Sequence, residues 1–151
     1  MARAGNVTIR PIAASDEPEW RRLWTGYLTF YETKLPEKVY ASTFARLLSG
    51  AKGEFRGFLA EIEGHSVGLT HYLFHRTCWD VADTCYLQDL YADPAVRGKG
   101  VGRALIEAVY AAADAEGAAS VYWLTQDFNT TARRLYDRIG VKTDFIEYNR
   151  V

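Results

Sequence analysis

The sequence has no surplus of charge of either sign. Eighteen Lys and Arg stand against nineteen Asp and Glu, a formal net charge of −1. Such a balance excludes nucleic-acid binding through bulk charge, which needs a field of one sign. Cysteine is scarce: only Cys78 and Cys85 occur. Their spacing matches no metal-ligand pattern, so no metal is expected, and two reduced thiols fit a cytoplasmic protein. No apolar run is long enough to span a membrane, and the first residues do not read as a signal peptide. Repeats and low-complexity linkers are also missing. What is there is 151 residues with 48% apolar and 25% charged positions, which suits one domain, 1–151, with a sizeable core.

The pattern of apolar residues orders the elements. Val7 to Arg10 reads as a short strand ending at Pro11. Ser15 or Asp16 can cap a helix, with Pro18 in its first turn and Trp20, Leu23, Trp24, Tyr27, Leu28 and Tyr31 at helical spacing. A second helix is expected from near Pro36, with Tyr40, Phe44, Leu47 and Leu48 on one face and Gly50 as its stop. Phe55 to Ile62 and Ser66 to Arg76 read as a hairpin, and Thr84 to Ala92 as a further strand stopped by Asp93-Pro94. Val101 to Ala112 carries an amphipathic helix ending at Gly117. Val121 to Leu124 is a strand, Ala132 to Ile139 a short helix closed by Gly140, and Val141 to Asn149 a last strand. Hairpins first and crossovers later make a mixed α/β pattern.

The richest segment is Arg97-Gly98-Lys99-Gly100-Val101-Gly102, three glycines in five residues at the start of a helix. Glycine tolerates positive φ, so successive amides can converge on an anion, and the helix adds free N–H groups and its positive dipole end. This is the pattern of a phosphate cradle. A P-loop needs Gly-Lys-Ser/Thr, and that ending is missing. A dinucleotide fingerprint needs a third glycine where Arg103 stands, and a strand leading straight into the loop.

Arg97-x-x-Gly100-x-Gly102 after a strand resembles the acetyl-CoA loop of the GNAT N-acetyltransferases. Asn129-x-x-Ala132-x-x-x-Tyr136, followed by Gly140, resembles the same family's segment after its fifth strand, and the order of elements agrees along essentially the whole chain. Tyr86-Leu87-Gln88-Asp89-Leu90-Tyr91-Ala92 is similar to the diamine and histone/polyamine acetyltransferase branch. The resemblance implies a GNAT fold: a mixed, mostly antiparallel sheet of six to seven strands, about four helices, and a splay between strands four and five. It implies acetyl-CoA as cosubstrate, with the pyrophosphate on Arg97, Gly98, Lys99, Gly100, Val101, Gly102 and Arg103. Leu90, Tyr91 and Ala92 would bond the pantetheine arm, together with Asn129, Ala132 and Tyr136. Tyr136 is the implied general acid, although its place on the apolar stripe with Leu135 also suits packing.

The acceptor side is less marked. A Glu often stands in this branch where Gln88 stands here, and an amide cannot take a proton, so Gln88 is left to position a water or the amine. Asp89 is adjacent, but successive strand side chains face opposite ways unless a bulge intervenes. Tyr27, Tyr31, Glu32, His71, His75, Trp79, Asp89, Gln126 and Asp127 are the acceptor candidates. Aromatics with carboxylates suit an amine cation, and the same residues also suit core or solvent positions. The expected reaction is direct transfer to a small primary amine: a diamine, polyamine or amino-acid derivative. A protein lysine or N-terminal acceptor, or a non-catalytic acyl-CoA sensor, are the alternatives. The resemblance also implies a homodimer.

Overall fold

The structure, a computed structural model, describes residues 3–4 (backbone only) and 6–151. Six strands form one sheet in the order β1 (Arg3–Ala4), β2 (Val7–Pro11), β3 (Arg56–Ile62), β4 (His65–His75), β5 (Thr84–Ala92) and β6 (Val121–Tyr122). Every pairing is antiparallel except β5 with β6. Four helices accompany them: α1 (Glu17–Phe30), α2 (Glu37–Ser49), α3 (Val101–Glu116) and α4 (Thr130–Ile139).

Two layers of helix sandwich the sheet because its strands alternate. Leu59 and Leu69 face one way, onto Trp20, Leu23, Trp24 and Leu28 of α1 and Phe44 and Leu47 of α2. Val7, Ile9 and Ala60 face the other way, onto Val101, Ala104, Leu105 and Ala108 of α3. Trp20, Leu23 and Leu105 are completely covered, and each such side chain contributes about 1.5–3 kcal/mol through the water it sheds. Gly50, in the left-handed region at φ 67°, stops α2 as expected. Asp16 occupies the N-cap of α1, but its carboxylate does not cap that helix. It takes two hydrogen bonds from Arg10 at 2.7 Å each and one from the Ala13 N–H at 2.7 Å, and the guanidinium holds it below the usual carboxylate range.

Three sequence expectations need correction. The segment 141–149 is not a strand: it pairs with no described strand, and Val141, Phe145 and Tyr148 are 91%, 87% and 88% exposed. Apolar alternation gives a strand only where a neighbouring edge takes up its backbone N–H and C=O groups. The strand at 121–124 is shorter than expected, because it leaves the sheet after Tyr122. The expected six to seven strands are therefore five of the anticipated ones, plus the two-residue β1 at the edge.

Two features of β5 position the site. Its pairing with β6 covers only Cys85 with Val121 and Tyr86 with Tyr122, so the strands part beyond Tyr86. Its pairing with β4 runs His71 with Asp89 and then Tyr72 with Leu87, which leaves Gln88 as a bulge. The bulge resets the alternation. Leu87 and Leu90, three residues apart, both pack toward α3, while Asp89 is buried against His71 on the α1 side.

Candidate active site

The glycine loop joins β5 to α3. Gly98 and Gly100 both adopt φ 79°, a conformation that a side chain would strain, and Gly100 is the N-cap of α3. The N–H groups of Gly98, Gly100, Val101, Gly102 and Arg103 have no backbone acceptor among the described residues. Five free donors at a helix start, beside the exposed Arg97 and Lys99, form a surface suited to a pyrophosphate. Arg103 instead spends its guanidinium on Glu107, at 2.7 Å. A Cβ on Gly102 would sit 3.4 Å from Leu135, so α4 lies against this loop. The free backbone of β5 at Leu90, Tyr91 and Ala92 leads from the loop into the gap that β6 leaves.

α4 forms the other wall of that gap. Asn129 caps it, its Oδ1 accepting from the Ala132 N–H at 3.4 Å, which leaves the amide Nδ2–H groups available. Tyr110 donates its hydroxyl to the Ile139 carbonyl at 2.7 Å and ties the helix end to α3. Tyr136 packs edge-on against Trp123, ring centroids 5.5 Å apart. Its phenol is pushed up to about 12, first by burial and then by the neighbouring Tyr31. An acid that stays protonated through the neutral range thus stands on α4 beside Trp123.

Asp89 is buried between β4 and α1. His71 Nδ1 is 3.0 Å from its Oδ2, and His71 Nε2 receives the Trp20 indole N–H at 3.0 Å. Trp24 stacks on Tyr27 at 4.8 Å, Tyr27 meets Tyr31 at 5.0 Å, and Tyr86 stacks on Tyr122 at 4.8 Å. Burial raises the phenol of Tyr27, with the Asp89 charge adding to it; Tyr31 is raised by burial and then Asp89, and Tyr86 by burial, Tyr122 and then Asp89. The Asp89 charge thus acts on the phenols of Tyr27, Tyr31 and Tyr86, and Tyr31 acts in turn on Tyr136.

Not every predicted residue joins this cluster. His75 and Trp79 lie at the far end of β4, where His75 pairs with Thr84 and hydrogen-bonds Tyr122 Oη at 2.7 Å. Trp79 is almost fully exposed, in a surface hollow shared with Tyr122 and Phe145. Glu32 is exposed in the turn after α1. Gln126 is exposed before α4, where its carbonyl receives the Asn129 N–H, and Asp127 holds Arg133 at 3.0 Å. Gln88 is exposed at the bulge. The roles of Trp20 and Tyr86 were not expected. No spacing rule finds Trp20, because its partner His71 lies 51 residues away. No group of three or more His, Cys, Asp or Glu suited to a metal occurs among the described residues.

The family model of the acetyltransferase (GNAT) family matches residues 18–141. The chain belongs to the GNAT family. This GNAT protein is 39% identical over 145 residues to the D-amino-acid N-acetyltransferase HPA3 of Saccharomyces cerevisiae, covering 95% of this chain and 90% of that protein. It is 32% identical over 76 residues to a thialysine N-epsilon-acetyltransferase of Bos taurus, covering 50% of this chain and 44% of that one. Among solved structures, AAC(6')-Iy in complex with a CoA-S-monomethyl-acetylneamine bisubstrate analogue superposes with a TM-score of 0.84 at 18% identity, covering 97% and 99% of the two chains. That last likeness speaks to the fold alone. Family and relatives together make this GNAT chain an acyl-CoA-dependent N-acetyltransferase. No helix among its described residues is long and apolar enough to cross a membrane.

Proposed function

We propose that residues 1–151 form one N-acetyltransferase domain that moves the acetyl group of acetyl-CoA to a small primary amine. The acceptor is a diamine, a polyamine or an amino-acid derivative, and the 39% identical yeast relative favours a D-amino acid. Asp89 carries this reading. A carboxylate only 9% exposed, held by the His71 ring at 3.0 Å and paired with no Arg or Lys among the described residues, suits an ammonium group, and its charge acts on the nearby phenols of Tyr27, Tyr31 and Tyr86.

The proposed steps assign each proton. The free N–H groups of Gly98 and Gly100 to Arg103 hold the pyrophosphate, and Asn129 Nδ2 with the β5 backbone holds the arm. Asp89 receives the acceptor ammonium. Its first proton leaves to solvent water, because the exposed Gln88 lies outside the cluster and its amide cannot take a proton. The amine lone pair then forms the C–N bond directly in the ternary complex. As the C–S bond breaks, Tyr136 gives its proton to the departing thiolate, and the second proton of the nitrogen restores the phenol. Net, one ammonium and one thioester give one amide, one thiol and one proton.

Thiol release from acetyl-CoA across D- and L-amino acids, diamines and polyamines tests the reading. Turnover with small amines, and an acetyl-CoA-dependent rise in Tm, are the expected results. Turnover only with peptide lysines or N-termini would overturn the acceptor class, and an unmoved Tm would overturn the cradle.

We also read the enzyme as a cytoplasmic homodimer. Both cysteines are free, and the apolar side chains of 141–151 are uncovered in the single chain. Light scattering is expected to give twice the mass of one chain, and a monomer at micromolar concentration would exclude the dimer.

A further inference from the structure

Trp20, His71 and Asp89 come from α1, β4 and β5 and meet in a single line of hydrogen bonds. Their exposures are 0%, 2% and 9%, so water does not substitute for these partners. The chemistry of the first bond fixes the rest. An indole N–H only donates, so His71 Nε2, 3.0 Å from Trp20 Nε1, must offer its lone pair. The ring proton therefore sits on Nδ1 and is donated to Asp89 Oδ2, 3.0 Å away. A doubly protonated ring would turn Nε2–H against the indole N–H, donor against donor. The line thus favours a neutral imidazole that supplies one hydrogen bond and no charge.

We propose that Trp20 and His71 are positioning residues that hold Asp89 ionised, oriented and free of a counter-ion, ready for the acceptor ammonium. This rests on the reading of Asp89 as the acceptor's carboxylate. A buried Asp paired to Arg or Lys would have its charge already answered, as Asp16 does with Arg10. Asp89 has no such partner among the described residues. Besides His71, the groups its charge acts on are the phenols of Tyr27 and Tyr31 from the α1 end and Tyr86 from its own strand, all neutral because each is raised. The Thr70 hydroxyl adds a bond to the Asp89 carbonyl at 2.8 Å and fixes the backbone at the bulge. With Oδ2 taken by His71, Oδ1 is the oxygen left for the acceptor. The arrangement explains why a histidine is buried here without taking a proton in the reaction.

The test is the pH profile of kcat/KM for the amine found in the panel, measured at saturating acetyl-CoA. Loss of a donor to a carboxylate raises the pH at which it ionises. His71→Phe is expected to move the acid limb up by about one pH unit and to raise the amine KM about tenfold, with saturated kcat within about twofold. His71→Gln is expected to restore the limb, because one amide can accept from Trp20 and donate to Asp89. Trp20→Phe removes the indole donor and permits an imidazolium that pairs with Asp89. Below the pH at which that imidazolium forms, the Asp89 charge is already answered and the acceptor is excluded, so the acid limb of kcat/KM again lies higher, now set by the His71 ring; this variant serves as the readout if His71→Phe does not fold. A folded His71→Phe with the wild-type limb and KM overturns the proposal. So does a Gln variant as impaired as the Phe variant, which would mark a packing role alone. Asp89→Asn separates the two readings. If it is impaired while the His71 and Trp20 variants are not, only the positioning role fails. If it keeps wild-type kcat/KM, the acceptor reading fails as well.

Discussion

Replacing Tyr136 with Phe is expected to lower kcat about 100-fold while leaving the Kd of acetyl-CoA unchanged within about twofold. General-acid assistance is worth roughly 10²–10⁴-fold, and the lower end applies because water retains some access to a half-buried phenol. The ring that meets Trp123 at 5.5 Å survives the substitution, so packing and α4 are kept and only the proton is lost. The pH dependence carries the same sign. The protonated phenol is the active form, and burial pushes Tyr136 up to about 12. Turnover of the native enzyme therefore holds as pH rises through the ordinary phenol value near 10, and the contribution of Tyr136 is lost only toward 12. Steady-state thiol release with calorimetric titration of acetyl-CoA measures both quantities. A Phe variant with native kcat at every pH would remove Tyr136 from the chemistry.

Asp89→Asn is the second large effect. Asn is close in shape, and its Oδ1 still accepts from His71 Nδ1, so the line of hydrogen bonds survives without the charge. The expected loss is about 100-fold in kcat/KM for the amine, equivalent to about 2.7 kcal/mol. That is in the range measured when one partner of a desolvated charge pair is removed. Binding of acetyl-CoA is expected to stay native, because the cradle at Gly98 to Arg103 lies beyond the end of β5 and does not use this carboxylate. Kinetics with the amine varied at saturating acetyl-CoA give the first number, and titration with acetyl-CoA alone gives the second. An equal loss in both would mean that the substitution disturbs β5 as a whole.

The two experiments separate donor from acceptor, as the chain itself does. The elements of the proposed donor half are legible in the sequence because they are local. Glycines at 98, 100 and 102 act through their own backbone, and a helix start follows them within the same six residues. Asn129 and Tyr136 sit seven apart on one short helix, a spacing that a sequence displays directly. The helices α1, α2 and α3 were legible for the same reason: their apolar faces recur at helical period, and glycines close α2 and α3. The acceptor half is not local. Trp20, His71 and Asp89 are brought together by three different elements, and none carries a spacing signal. The bulge at Gln88 is equally silent. Gln-Asp in a strand reads as two opposite faces, and only the register of β4 against β5 leaves one residue over and buries Asp89 toward α1.

The C-terminal segment shows the converse limit. Val141 to Asn149 has strand-like composition, yet it lies exposed, because a strand is a property of two neighbouring chains rather than of one sequence. By itself the sequence determined the family, the glycine-rich start of α3 and most of the helices, all of which follow from short-range backbone preferences and periodicity. Tertiary structure alone decided which carboxylate is buried, which histidine is locked beside it, and where β5 parts from β6. Those depend on register and packing between residues far apart in the chain, where solvent is excluded and a single hydrogen bond settles a proton's place.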